Sequence, residues 1–109
     1  MPRALTTLDA FNAIAERKRR NVLEALAAGE RSVNELVTLL QWPQPQVSKH
    51  LGVLKKVGLV HDRKEGRRRM YGLNALPIRD IHSWTSEFER YWDHQLAAIK
   101  DRAERRAKQ

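Results

Sequence analysis

The chain contains no cysteine. Disulfides, thiolate zinc sites, iron–sulfur clusters and thiol catalysis are therefore excluded. Proline and glycine number only four and five among 109 residues, and the chain shows no internal repeat, low-complexity segment or interdomain linker. Aromatics are limited to three Trp, two Tyr and two Phe. No apolar run approaches the roughly 20 residues of a membrane-spanning helix. The first 20 residues, MPRALTTLDAFNAIAERKRR, lack the apolar stretch of a secretory leader, so no membrane association and a cytoplasmic location are expected. Acidic residues are also in deficit: 13 Asp and Glu face 21 Lys and Arg, giving a net charge of +8. That surplus is compatible with a solubilising surface, and it also favours polyanionic partners. At 41% hydrophobic and 31% charged, the composition is that of a folded soluble protein, and the length predicts a single domain over residues 1–109. A chain this short buries a modest core and gains from burial in a dimer.

The predicted elements are mainly helical, with one small β-hairpin. Two N-terminal helices are expected over residues 5–28, the first capped by Thr6 or Thr7 with Leu8, Phe11 and Ile14 at helical spacing. Ser32 and Glu35 form a capping-box pattern at the start of a third helix. Pro43 ends that helix, and Pro45 suits the first turn of the next, where its missing amide hydrogen costs nothing. In this fourth helix Val47, Leu51 and Leu54 make a buried stripe, and Gly58 closes it. Residues 59–64 and 67–73 read as two strands joined at Glu65-Gly66. From Pro77 to about residue 105 the pattern is again helical, with Ile81, Trp84, Phe88, Tyr91, Trp92, Leu96 and Ile99 at three- and four-residue steps.

Residues 32–58 followed by 59–74 thus form a helix-turn-helix with a basic wing, a unit that offers one helix and one β-ribbon to the grooves of duplex DNA. On the fourth helix Gln46 and Lys49 point largely away from the apolar stripe and Ser48 and His50 flank it; with Gln44 they lie in the N-terminal half that meets the bases. Gln bonds an adenine edge, Lys a guanine edge, and Ser either. The alternative for any of them is a solvated helix face, and for His50 packing against a neighbouring helix. At the wing, Arg67 and Arg68 sit nearest the tip, where guanidinium groups reach a narrow minor groove, or else merely protect an edge strand. Lys55 and Lys56 face phosphates or water. The basic run at residues 17–20 is suited equally to phosphate contact and to ion pairs with Asp9, Glu16 or Glu24.

The segments ERKRRNVLEALAAGERSVNELV, QVSKHLGVLKKVGLV and EGRRRMYGL resemble the ArsR/SmtB family of winged-helix regulators across roughly residues 8–100. The resemblance implies a homodimer joined through its terminal helices, binding a palindromic operator in double-stranded DNA and repressing transcription. Many members release DNA on binding metal, but this chain departs from both usual metal patterns. No Cys stands at residues 37–39. Asp80 and His82 match the first half of a C-terminal-helix zinc pattern, while in its second half Asp93 stands where His is usual, His94 comes one step late and Leu96 replaces the last ligand. No metal and no cofactor is therefore expected. The aromatics Trp84, Phe88, Tyr91 and Trp92, with Phe11, are expected at the dimer interface; lining the pocket of a small-molecule effector is the alternative. The competing functions are a non-specific architectural DNA-binding protein, a metal-responsive repressor with an atypical Asp/His site, and a protein-interaction module. No enzymatic constellation stands out.

Overall fold

The computed structural model describes residues 9–108. They fall into two compact units, one ending at Ile78 and the other beginning at Arg79. The expected cap at Thr6 or Thr7 and the apolar Leu8 lie outside the described residues.

The first unit opens with α1 (Ala10–Ile14), whose start is capped by Asp9: its Oδ1 accepts from the Asn12 amide at 2.8 Å. Then come α2 (Arg17–Leu26), a two-residue strand β1 (Arg31–Ser32) and α3 (Val33–Leu40). The capping box forms as the sequence predicts. Ser32 Oγ accepts from the Glu35 amide at 3.2 Å, and the Glu35 carboxylate accepts from the Ser32 amide at 2.7 Å. That reciprocal bonding satisfies two amides at the helix entrance. The helix ends at Gln41, in the left-handed region at φ 59°, two residues before Pro43. Pro43 then stands at the N-cap of α4 (Gln44–Lys56) and Pro45 in its first turn.

Strands β2 (Val60–Glu65) and β3 (Arg68–Leu73) form the wing, and β1 pairs with the outer edge of β3, so the antiparallel sheet runs β1-β3-β2. The third strand escapes a sequence reading because two residues are too few to show alternation. Glu65 pairs with Arg68 across the hairpin. The turn is therefore Gly66-Arg67, one residue later than expected, and Arg67 stands at the tip itself. Gly66 has φ 62° while Arg67 is not positive, the pattern of a II′ hairpin turn.

The core gathers Ala13, Val22, Leu26, Leu36, Val47, Leu51, Leu54, Leu59 and Val60. Every helix of this unit, α1 to α4, contributes at least one side chain, and Met70 adds cover from the wing. Tyr71 and Leu73 pack partly buried against the same cluster. The base of the wing is fastened by polar contacts. Asp62 accepts from Lys55 of α4 and from Arg69 of β3, while Arg63 pairs with Glu30 at 2.8 Å and with Glu65 at 3.0 Å.

The terminal segment was expected as one helix over residues 77–105. It is two: α5 (Ala75–Ser86) and α6 (Glu89–Lys108). The start moves back to Ala75 because Pro77 is tolerated in a first turn. The break has a local cause. Thr85 Oγ1 and Ser86 Oγ both donate to the His82 carbonyl, at 2.9 and 2.7 Å. Hydroxyls bonding back to an earlier carbonyl loosen the helical ladder. The turn is closed by shorter-range bonds, from the Glu87 amide to Trp84 O and from the Phe88 amide to Thr85 O. On α6, Glu89 stands in the first turn and Arg105, Arg106 and Lys108 in the last, the arrangement that complements the helix dipole.

Candidate nucleic-acid interface

α4 carries two faces. Val47, Leu51 and Leu54 are fully buried, as their spacing requires, and fix the helix in the core. Gln44 and Lys49 are exposed, and Gln46 and Ser48 are half-buried. Gln44 Nε2 donates to Ser48 Oγ at 2.7 Å, one turn apart, so these two polar side chains are held as a pair. The uncapped start of α4 leaves Gln44 beside solvent: Pro43 provides no side-chain cap.

His50 must be withdrawn from the base-reading group. It is only 3% exposed, its ring meeting the Trp42 indole edge-on at 6.1 Å between centroids. Three residues after Val47 and four before Leu54, it falls on the apolar side of α4, which its chemistry disguised. Its Nδ1 is buried with no hydrogen-bond partner among the described residues. Burial holds the imidazole below its ordinary range; Glu16 opposes this, and Arg19, Lys49 and Lys18 reinforce it.

A pH dependence follows. Above about pH 6.5 His50 is neutral in folded and unfolded chains alike. As the pH falls through that value the unfolded chain takes up the proton first, so stability drops, and the loss levels off once the folded imidazole also protonates. Glu30, Glu35 and Asp62, whose carboxyls are held below their usual range, respond only at lower pH. Urea unfolding between pH 5 and 7 should therefore show declining stability towards acid, and His50→Leu should flatten that decline. An unchanged slope in the variant would remove His50 as its source.

The basic residues divide by what holds them. In the run at residues 17–20, Arg19 Nε donates to the Ala13 carbonyl and Arg20 Nη1 to the Ile14 carbonyl, each at 2.6 Å. These arginines satisfy the last carbonyls of α1 and staple it to α2, while Lys18 lies 5.6 Å over the Trp42 ring. Of the charged groups proposed for this run, Glu16 pairs with Arg19 at 3.4 Å. Lys55, Arg63 and Arg69 are likewise engaged, by Asp62, Glu30 and Glu65. The principal effect on Asp62 is the hydrogen bond from Lys55, which keeps its carboxyl low.

Arg67 and Arg68 differ. Both are exposed and neither side chain makes a hydrogen bond or ion pair among the described residues. They line a cleft of about 210 Å³ together with Arg69, Gln44 and the start of α3. The wing tip and the first residue of α4 are thus brought to one place, while Lys49 lies further along the helix. Sequence reasoning missed the contribution of α3, whose Asn34 borders the same cleft.

In the second unit Trp84, Phe88, Tyr91, Trp92, Leu96 and Ile99 are all 39% exposed or more. Trp84 and Phe88 meet edge-to-face at 5.1 Å. Asp80 and His82 lie on α5 and Asp93 and His94 on α6; among the described residues no three His, Asp or Glu side chains gather into a metal-holding group. No helix among the described residues is long and apolar enough to cross a membrane.

Comparison with known proteins agrees with this geometry. The family profile described as "Bacterial regulatory protein, arsR family" matches residues 16–62, from the start of α2 into β2. The chain is 38% identical over 87 residues to the HTH-type transcriptional regulator Rv2034 of Mycobacterium tuberculosis, covering 80% of this chain and 78% of that protein. It is 28% identical over 86 residues to the transcriptional repressor SdpR of Bacillus subtilis, covering 79% and 96%. Among solved structures, a possible transcriptional regulator for arsenical resistance superposes with a TM-score of 0.68 at 34% identity, over 75% of this chain and 85% of that one. With helix-turn-helix, wing and sequence all concordant, the chain belongs to the arsR family of bacterial regulatory proteins.

Proposed function

We propose that this chain is a sequence-specific transcriptional repressor that binds a palindromic operator in double-stranded DNA as a homodimer. The observation that carries the reading is the pair Arg67 and Arg68. Their side chains make no hydrogen bond or ion pair among the described residues, and they stand at the wing tip beside the first residue of α4. In a chain of net charge +8, Arg19, Arg20, Lys55, Arg63 and Arg69 are engaged by the fold's own carbonyls and carboxylates, whereas the side chains of Arg67 and Arg68 are open to an external anion. Gln44, Gln46, Ser48 and Lys49 supply donors and acceptors for base edges, and the wing arginines supply phosphate or minor-groove contact. The exposed aromatic face of α5 and α6 serves the second subunit, with Phe11 of α1 assigned to the same interface.

The test is a titration of labelled duplex from upstream of the protein's own gene, at several salt concentrations, against an unrelated duplex. A specific regulator prefers its operator by about a thousandfold or more. Gln46→Ala and Ser48→Ala should shrink that preference, whereas Arg67→Gln should weaken all duplexes evenly and lower the salt slope by about 1. Identical behaviour of the two kinds of variant would overturn this division of labour. Equal, salt-sensitive binding of wild type to every duplex, including those selected from a random pool, would instead make it a non-specific architectural protein.

A further inference from the structure

Three elements of the first unit meet at the cleft beside the wing: the tip of the hairpin, the first residue of α4 and the first turn of α3. The cleft holds about 210 Å³, room for a phosphodiester group and several waters of about 30 Å³ each. Its charged lining is entirely cationic: Arg67, Arg68 and Arg69, with no carboxylate among the lining side chains. Arg69 is held by Asp62, whereas Arg67 and Arg68 are not held. Asn34 occupies the second position of α3, exposed and without a side-chain partner among the described residues. The capping box satisfies the amides of Ser32 and Glu35 and leaves those of Val33 and Asn34, which have no intrahelical acceptor. Glu35, the nearest acidic group of this turn, is turned to the Ser32 amide and lies in the field of Arg68, which helps keep its carboxyl low.

We propose that this cleft seats a backbone phosphate of the bound duplex, with Asn34 as the contact residue on α3 and Arg68 as its counter-charge. The assignment rests on the DNA-binding reading above and extends it to a third element. α3 does not merely support α4; it holds the sugar–phosphate strand that runs between the recognition helix and the wing. A contact of this kind fixes register and carries no base information.

The test uses the full-length protein and a random-sequence duplex of about three helical turns, so it is independent of any operator. Fluorescence anisotropy is recorded over a range of salt. Asn34→Ala removes a neutral hydrogen bond and should weaken binding about fivefold on every sequence, with the salt slope unchanged because no cation is lost. Arg68→Gln should lower the slope by about 1. Asn34→Asp is the decisive variant. A carboxylate in the first turn of α3 favours the helix, so thermal stability should hold or rise, yet the same charge repels a phosphate and binding should fall tenfold or more. A purely structural role for Asn34 would move stability and leave binding unaltered. Competition with inorganic phosphate at ionic strength matched by chloride separates the two sources of the ligand. Equal effects of the two salts support a seat formed for the DNA strand. Preferential displacement by phosphate that vanishes in Arg68→Gln, with Asn34→Asp still binding duplex as the wild type does, would reassign the cleft to a free anion and overturn the proposal. Wild-type affinity in both Asn34 variants overturns the seat alone; failure of the wild type to bind any duplex removes the DNA reading and the seat with it.

Discussion

If the proposed homodimer forms, placing glutamate at both Trp92 and Leu96 should convert it to a monomer and reduce affinity for the proposed palindromic operator by about 10²- to 10⁴-fold. The two side chains stand one turn apart on α6 and are 39% and 60% exposed in the single chain. They belong to a run of large apolar groups, from Trp84 to Ile99, each of which keeps 39% or more of its surface exposed. Apolar exposure on that scale marks an interaction surface in a soluble protein. Carboxylates at these points would have to be desolvated for a partner to dock, at a cost of several kcal/mol each. Both positions are partly exposed in the single chain, Leu96 more than Trp92, so thermal melting of the double variant checks that its fold is kept. Affinity then falls because a dimer engages two half-sites at once, so the second contact is intramolecular, whereas a monomer must bind each half-site separately. Sedimentation equilibrium reads the first effect and operator titration the second. A double variant that stays dimeric would place the interface elsewhere. A wild type that is itself monomeric at micromolar concentration would remove the dimer from the proposal.

The parts of the fold legible in the sequence were those governed by near neighbours along the chain. The Ser32–Glu35 box, the Pro43/Pro45 turn and the Val47/Leu51/Leu54 stripe each depend on spacing within one or two helical turns, and each is present. What escaped depended on partners distant in sequence, or on competition too fine for a periodicity to show. His50 was grouped with the polar face by its chemistry, although its position put it beside Trp42 and the core. The employment of Arg19 and Arg20 on α1 carbonyls could not be told from phosphate-binding duty, because both readings ask for the same cations. The interruption at residues 87–88 came from two hydroxyls bonding to one carbonyl, inside a stretch whose apolar period continues without a break. The cleft at Asn34 required three elements to meet, and only the folded chain places them together.

Two neighbouring substitutions on α4 should separate stability from recognition. Leu51 is 1% exposed and packs in the core cluster with side chains from α2, α3 and β2. Leu51→Ala should cost about 2–5 kcal/mol through lost transfer energy and the cavity left behind. A chain of this size has a total stability on the order of 5–15 kcal/mol, so the loss consumes a large share of it and should lower Tm by roughly 10–20 °C or more. DNA affinity measured on the remaining folded fraction should change far less, because Leu51 has no surface to offer a groove. Lys49, two residues earlier, is exposed and makes no ion pair among the described residues. Lys49→Ala should leave stability within about 0.5 kcal/mol and reduce operator affinity by about 1–3 kcal/mol if its ammonium reads a guanine edge. The loss should then be concentrated on operators that retain that guanine. A uniform loss across all duplexes, accompanied by a smaller salt slope, would move Lys49 from base reading to phosphate contact. No loss at all would remove this face of α4 from the major groove. The two variants therefore test separately whether one helix divides its labour as its spacing implies, with Leu51 anchoring the domain and Lys49, 200° around the helix axis at about 100° per residue, meeting the DNA.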